Sequence, residues 1–129
     1  MIDPERLHVA PLFADLSDDD LAWLAERFDE SLVAEGGRAT HEGMAGYAFF
    51  VIESGEAEVQ HGDTDVRRLG PGDTFGEAAI LGDGRRTADV VARTKLELLV
   101  MHGARFRELQ MQMPDVAASI ESAMQQHRA

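Results

Sequence analysis

Cysteine is absent from the 129-residue sequence. This absence excludes disulfide bonds, thiol catalysis and metal sites built from thiolates, and it agrees with a reducing compartment. No apolar stretch approaches the length of a membrane span, and the first residues lack the basic and apolar regions of a signal peptide. We therefore expect a cytoplasmic protein that does not enter a membrane.

Basic residues are scarce, with 12 Lys and Arg against 24 Asp and Glu, and the formal net charge is −12 at pH 7. A charge of this sign repels phosphodiester backbones and anionic membrane surfaces. We therefore expect no direct binding of nucleic acid or membrane. The length has room for one domain of ordinary size, so we expect residues 1–129 to form a single domain.

Helical signals occur near both ends of the chain. Ser17 is a good N-cap, and the acidic residues after it suit the first turn of a helix. Apolar residues at helical spacing predict helices at about 18–28, 104–113 and 115–126. We expect Trp23, beside the first apolar stripe, to serve packing rather than ligand binding.

Between these helices the apolar period changes to that of β-strands. Short alternating runs separated by glycine turns predict a β-roll over about residues 31–102. Many short strands at even spacing indicate an antiparallel β-barrel or a double-stranded jelly roll, which hide their edges by closing or by pairing sheets. The predicted strands are 31–33, 38–41, 48–53, 56–61, 65–69, 88–93 and 96–102, the last two joined by a hairpin turn at Thr94 and Lys95.

A glycine-bounded stretch in the middle of the chain carries the candidate chemistry. The tight-turn residues 70–73 lead to the run 76–81, which is too short for an ordinary helix and predicts a single helical turn. A helix start has unpaired N–H groups and a partial positive charge, which suit an anion. Arg86 lies nine residues after Glu77 and could return to the same hollow. Because a guanidinium suits phosphate and a carboxylate suits hydroxyl groups, the pair fits a phosphate joined to a ribose.

The sequence Phe-Gly-Glu-Ala-Ala-Ile-Leu at 75–81, followed by Arg-Thr-Ala at 86–88, resembles the phosphate-binding cassette of cyclic nucleotide-binding domains. These domains are the sensor modules of catabolite activator proteins and protein kinase A regulatory subunits. Two further stretches agree with the same family, namely Pro-Leu-Phe-x-x-Leu-Ser at 11–17 and the aromatic-rich strand and glycine turn within 47–59. The resemblance implies a jelly roll with an N-terminal helix, a cassette helix within 75–88 and two C-terminal helices.

The resemblance also assigns roles to individual residues. Glu77 would bind the ribose 2′-hydroxyl, Arg86 would bind the cyclic phosphate, and backbone N–H groups would complete the cradle. Two positions depart from the family pattern, because Arg85 stands where proline is common and Ala78 where a bulky aliphatic residue is common. Arg85 is therefore a second candidate for the inward-pointing arginine. The implied ligand-binding residues are Gly76, Glu77, Ala78, Ala79, Arg85, Arg86, Thr87 and Ala88.

By this resemblance the chain is a non-catalytic regulatory module that binds a cyclic nucleotide monophosphate. Cyclic AMP (cAMP) is favoured over cyclic GMP (cGMP) on family frequency alone, and Thr87 does not decide between them. The last helix would be a mobile lid over the base. Its movement would signal to an effector protein or to a second copy in a homodimer, because too little sequence follows it for an output domain. No cofactor is implied.

Other interpretations stay open at this point. Glu77 and Arg86 could form an exposed ion pair without a ligand, in a domain of the same fold that serves only as an interaction domain. A cupin-type jelly-roll metalloenzyme is a further alternative, which would need clustered His and Glu ligands. His41-Glu42-Gly43 supplies one histidine where such a site shows two. We therefore predict no metal ligand and no catalytic residue.

Overall fold

The computed structural model describes residues 1–39, 48–61, 65–76 and 89–126. Two short 3-10 helices open the chain, at Pro4–Val9 and Pro11–Phe13. The α-helices in the described residues are α1 (Asp18–Ala25), α2 (Gly103–Gln112) and α3 (Pro114–Gln126). The strands in the same ranges are β1 (Asp29–Val33), β2 (Ala48–Ser54), β3 (Ala57–His61), β4 (Asp65–Leu69), β5 (Thr74–Gly76), β6 (Asp89–Ala92) and β7 (Leu96–His102).

The strands form two antiparallel sheets. One has four strands in the order β1-β7-β2-β5, and the other has three in the order β4-β3-β6. Phe50 and Leu98 of the first sheet share a buried cluster with Val59 and Val90 of the second, so the two sheets face each other. The predicted jelly roll is confirmed, and in the described residues it consists of two separate sheets rather than one closed barrel.

The helices cover the other face of the four-stranded sheet. Phe49 and Val51 of β2 belong to a core cluster shared with the helices, whereas Phe50 and Ile52 belong to the cluster between the sheets. Because β2 is buried on both faces, its apolar residues run without interruption from Ala48 to Ile52. The molecule therefore has three layers, with the four-stranded sheet in the middle.

The first α-helix is shorter than predicted, since α1 ends at Ala25 and not near Phe28. The N–H of Phe28 donates to the carbonyl oxygen of Ala25 at 3.4 Å, three residues back, so the chain leaves the helix in a tighter turn. This turn places the Phe28 ring between those of Phe13 and Phe49, with centroid distances of 6.2 and 6.3 Å. The apolar residue at the predicted helix end is therefore buried, but outside the helix.

The predicted hairpin between the last two strands is wrong, because β6 and β7 lie in different sheets. Residues Thr94 and Lys95 instead lie in a connection that crosses from one sheet to the other. This connection packs on the β2–β3 connection, where the Glu56 N–H donates to Thr94 Oγ1 at 3.0 Å. Gly55 has a φ of 94°, and a Cβ atom there would collide with the Lys95 carbonyl oxygen. A turn signal in a sequence marks a change of direction but does not say which sheet the next strand joins.

Strand β5 was not predicted, because it contains only three residues after a glycine-rich turn. The turn itself is confirmed, with the Asp73 N–H donating to the Gly70 carbonyl oxygen at 3.0 Å. Phe75, which the sequence places in the cassette, is the central residue of β5 and pairs with Phe50. The cassette stretch therefore begins as a strand of the four-stranded sheet.

Candidate functional site

The candidate ligand-binding segment attaches at one end of the roll. Strand β5 of the four-stranded sheet ends at Gly76, beside the start of β2. Strand β6 of the three-stranded sheet begins at Asp89, beside Gln60 near the end of β3. Both positions lie opposite the corner at Gly55, where β2 passes into β3. Residues 77–88 therefore leave one sheet and return to the other at the same end, which we call the cassette end.

Two further segments begin and end at the cassette end. Residues 40–47 follow Ala39, whose N–H donates to the Val90 carbonyl oxygen at 2.9 Å, and they lead into Ala48 at the start of β2. Residues 62–64 join β3 to β4 at the same end. Loops gathered at one end of a rigid scaffold commonly carry binding residues. The cassette end is thus the place where a site made from several connections would lie.

The inner face of the three-stranded sheet changes from apolar to charged toward the cassette end. Ala57 of β3 pairs with Leu69 of β4 and Ala92 of β6, and all three residues are buried. In the next row toward the cassette end Val59 and Val90 are buried, whereas Arg67, which pairs with Val59, is exposed. Arg67 was not among the predicted site residues. The available signal was an arginine two residues before the core residue Leu69, at an inward-facing position of an alternating strand.

Of the eight predicted ligand-binding residues, Gly76 lies within the described structure. It is half-buried, and it ends β5 directly beside Phe49 of β2. The other seven residues lie outside the described residues, so their roles stay predictions: Glu77, Ala78, Ala79, Arg85, Arg86, Thr87 and Ala88.

The residues just before this segment are firmly held. Phe75 is 2% exposed, and its ring stacks on that of Phe50 with a centroid distance of 4.8 Å and an interplanar angle of 14°. Stacked aromatic pairs of this kind stabilise beyond the area that they bury. The position at which residues 77–88 begin is therefore fixed by the core between the two sheets.

Strand β6, which follows the segment, is tied to β3 by a buried carboxylate. Glu58 of β3 is 5% exposed, and its Oε1 lies 2.8 Å from Arg93 Nε and 3.9 Å from Arg68 Nε. A buried carboxylate needs such partners, because burying it unpaired would be costly. Arg93 directly follows β6, so the ion pair links that strand to β3. The sequence did not reveal Glu58, since strand alternation marks it as an ordinary outward-facing polar position.

The C-terminal helix α3 packs on the helical layer and against β5. On α3, Ile120 is buried and Val116 contacts the same core, while Ala123 is half-buried. Ala117 is also buried. Met113 separates α2 from α3 with φ of −138° and ψ of 70°, which lies outside the helical region. A single non-helical residue therefore sets the angle between the two C-terminal helices.

Comparison with known sequences identifies the family. The profile of the cyclic nucleotide-binding domain matches residues 33–113 of the chain. The chain belongs to this family. The match includes β2 to β7 and α2, and it spans the segment attached at the cassette end.

Curated relatives are regulatory subunits and kinases controlled by cyclic nucleotides. The cAMP-dependent protein kinase regulatory subunit of Yarrowia lipolytica is 39% identical over 105 residues, which cover 80% of this chain and 28% of the relative. The cGMP-dependent protein kinase egl-4 of Caenorhabditis elegans is 35% identical over 105 residues, which cover 76% of this chain and 14% of the kinase. The chain thus spans less than a third of the length of these relatives.

Solved structures share the architecture. A candidate cyclic nucleotide-binding protein of Geobacter metallireducens aligns with a TM-score of 0.81 at 25% identity, covering 99% of this chain and 98% of that one. The catabolite activator protein of Thermus thermophilus aligns with a TM-score of 0.73 at 29% identity, covering 88% of this chain and 55% of that one. The jelly roll with flanking helices is therefore the fold of the family.

The described residues contain neither a group of metal ligands nor a membrane-spanning helix. No three His, Asp or Glu residues within 1–39, 48–61, 65–76 and 89–126 are grouped so that they could hold a metal ion. Among the helices of these same ranges, none has the length and apolar character that crossing a membrane requires.

Proposed function

We propose that this chain binds a cyclic nucleotide monophosphate at the cassette end and acts as a non-catalytic regulatory module. The observation that carries the proposal is the placement of Gly76 and Asp89, which end and begin strands of opposite sheets at the same end of the roll. Residues 77–88 must span from one sheet to the other there. Membership in the cyclic nucleotide-binding domain family supports the class of ligand.

The proposed roles follow from charge and hydrogen bonding. Arg86 neutralises the cyclic phosphate, Glu77 accepts hydrogen bonds from the ribose, and backbone N–H groups between them complete the cradle. The net charge of −12 repels an anionic ligand at long range, so the site must supply its positive charge locally. Arg85 is the alternative phosphate ligand.

The proposed signal leaves through the C-terminal helix. Helix α3 packs against β5, whose last residue, Gly76, is the first residue of the proposed site. Met113 supplies a non-helical joint about which α3 can change its angle. A shift of residues 77–88 on ligand binding would therefore be transmitted to α3 through its contact with β5.

We also propose a preferred base, a signalling partner and a cellular location. We favour cAMP over cGMP, and the relative at 39% identity is a cAMP-dependent regulatory subunit. Relatives at 34–35% identity are cGMP-dependent kinases, and titration with both nucleotides tests the preference. We propose further that residues 1–129 form one cytoplasmic domain whose output passes through α3 to an effector protein or to a second copy in a homodimer.

Calorimetric titration of the chain with each nucleotide tests the proposal. We expect saturable binding of cAMP with one site per chain and weaker binding of cGMP. Arg86→Ala should abolish binding of both nucleotides, because it removes the partner of the phosphate. Arg85→Ala is the matched control, since it removes an adjacent arginine of the same charge.

Three outcomes would overturn the proposal or its details. No heat with either nucleotide, together with a correctly folded chain by circular dichroism, would contradict nucleotide binding. Loss of binding in Arg85→Ala with retention in Arg86→Ala would keep the function but exchange the two arginines. Tighter binding of cGMP than of cAMP would reverse the proposed base preference.

A further inference from the structure

A groove lies between the C-terminal helix and the turn that leads into β5, on the face of the four-stranded sheet away from the roll interior. It has a volume of about 430 Å³. One wall is the turn and the start of β5, with the second 3-10 helix beside it, and the other is the face of α3. The residues that line it include Leu12, Asp73, Thr74, Ser119, Ser122 and Ala123.

The groove contains a buried hydroxyl group that has no hydrogen-bond partner among the described residues. Thr74 is 5% exposed and pairs through β5 with Val51, a residue of the core that the sheet shares with the helices. Within the described part of the chain, Thr74 Oγ1 makes no hydrogen bond. Burying a hydroxyl without a partner costs free energy. A ligand that donates to or accepts from Thr74 would recover that cost.

The helix wall is shaped so that the groove stays unfilled. Ser119, Ser122 and Ala123 are small, and they are the α3 residues that line the groove within the part of the helix whose side chains the structure describes. The Ser119 hydroxyl donates to the Asp115 carbonyl oxygen at 3.1 Å, which leaves its oxygen able to accept a hydrogen bond from a ligand. The helix therefore offers hydroxyl groups one turn apart without occupying the space.

The charge of the lining selects the class of ligand. Among the described residues that line the groove, Asp73 carries a charge, and its Oδ2 already accepts a hydrogen bond from the Gly70 N–H at 2.8 Å. No lysine, arginine or histidine is among these described lining residues, which disfavours phosphate groups there, including that of a second cyclic nucleotide. Hydroxyl donors suit Asp73 and the serines, and the C–H face of a sugar ring suits Leu12 and Ala123.

We propose that this groove is a second ligand site, which takes a neutral polyhydroxylated molecule of sugar size. The volume falls within the range of roughly 300–1,000 Å³ that small-molecule sites occupy. A molecule bound there contacts both α3 and the turn before β5, and so holds the helix against the sheet. The groove lies on the face of β5 that carries Thr74, whereas Phe75 on the other face of the strand packs between the two sheets.

Titration of the ¹⁵N-labelled chain with ribose, followed by backbone amide spectra, tests the inference. We expect millimolar affinity and the largest changes at Asp73, Thr74, Ser119 and Ser122. Ribose 5-phosphate is the matched control ligand, which carries the same ring with added negative charge and should cause no change. Absence of changes with ribose at these amides would overturn the inference, as would equal changes with ribose 5-phosphate.

Three variants separate this site from the nucleotide site. Thr74→Val keeps the side-chain shape and removes the hydroxyl, so it should raise the ribose Kd about tenfold, the factor that one lost hydrogen bond supplies. It should not lower the melting temperature of the free chain, because valine buries no unpaired polar group. Ser122→Phe should block the groove from the helix side. Arg86→Ala should leave ribose binding unchanged, whereas loss of ribose binding in this variant would place the sugar at the cassette end and overturn the inference.

Discussion

Arg6 joins the N-terminal 3-10 helix to the end of β2 through the carboxylate of Glu53. The Nε–H donates to Glu53 Oε2 at 2.7 Å, and an Nη2–H donates to Oε1 at 2.6 Å. The same guanidinium also contacts Glu30 of β1. The hydrogen bonds from Arg6 hold the pKa of Glu53 below its ordinary value, and those carboxylates raise the pKa of Arg6. One arginine thus fastens the helical layer to two strands of the sheet.

This pair predicts a loss of stability in acid. Because the folded-state pKa of Glu53 is lowered, its contribution is fully present above its unfolded value, near 4.5, and is lost as the pH falls through the folded value. Glu53→Gln should lower the free energy of unfolding at pH 7 by about 1 kcal/mol, and should flatten its dependence on pH below about 5. Urea denaturation at several pH values measures both. Glu35→Gln, at an exposed turn, is the control, and an equal effect of the two variants would contradict the assignment.

Three glycines predict a graded series of destabilisation. Gly55 combines a φ of 94° with contact against the Lys95 carbonyl, so Gly55→Ala should lower the free energy of unfolding by about 3 kcal/mol. Gly36 has a φ of 82° but open space around it, so Gly36→Ala should cost about 1 kcal/mol. Chemical denaturation gives the free energies.

The third member of the series is the control. Gly70 has no positive φ and no atom within 4 Å of a Cβ built on it. Gly70→Ala should therefore be neutral or slightly stabilising, because it reduces the freedom of the unfolded chain. If Gly36→Ala lowers the free energy of unfolding as much as Gly55→Ala does, the close packing of Gly55 against the Lys95 carbonyl does not contribute to stability as proposed.

The sequence predicts individual strands and helices of this fold better than it predicts how they are connected. The strand at 48–53 and the capped helix after Ser17 follow from local patterns, and the structure confirms both. The crossing at Thr94 was read as a hairpin because strand patterns carry no information about sheet membership. The burial of Glu58 depends on Arg68 and Arg93, which reach it from a neighbouring strand and from the end of another, so no local pattern reveals it.

For the candidate site too, some features follow from the sequence and others need the structure. Its residue types and spacing, Glu77 and Arg86 above all, come from the sequence, and their roles stay predictions. The end of the roll at which they attach comes from the structure, through Gly76 and Asp89. The position of Arg67 depends on both the sequence and the structure. Strand alternation in the sequence places it on the inner face, and the pairing with β3 in the structure puts it near the cassette end.

Nucleotide binding should raise the melting temperature. A ligand at about a hundredfold its Kd stabilises the folded state by roughly 2.7 kcal/mol, which for a domain of this size is a rise of several degrees. Arg86→Ala and Glu77→Ala should each remove most of that rise while leaving the melting temperature of the free chain nearly unchanged. Thermal denaturation with and without cAMP measures it. A rise that persists in both variants would contradict their proposed roles.

Helix α3 should change its position when cAMP binds. The chain has no cysteine, so Leu32→Cys on β1 and Ala118→Cys on α3 introduce a unique pair of exposed sites for spin labels. The distance distribution between the labels should shift on addition of saturating cAMP, because Met113 allows α3 to rotate against the sheet. The same pair in an Arg86→Ala background should show no shift. An unchanged distribution in the doubly labelled chain that binds cAMP would contradict signalling through α3.

The location of the nucleotide is tested most directly by mapping backbone amide shifts of the ¹⁵N-labelled chain during a cAMP titration. The proposal places large changes at Ala48, Gly76 and Asp89, which mark the cassette end, and small changes at Gly55 and Thr94, which mark the opposite corner. Changes concentrated at Gly55 and Thr94, or no changes at saturating cAMP, would contradict it.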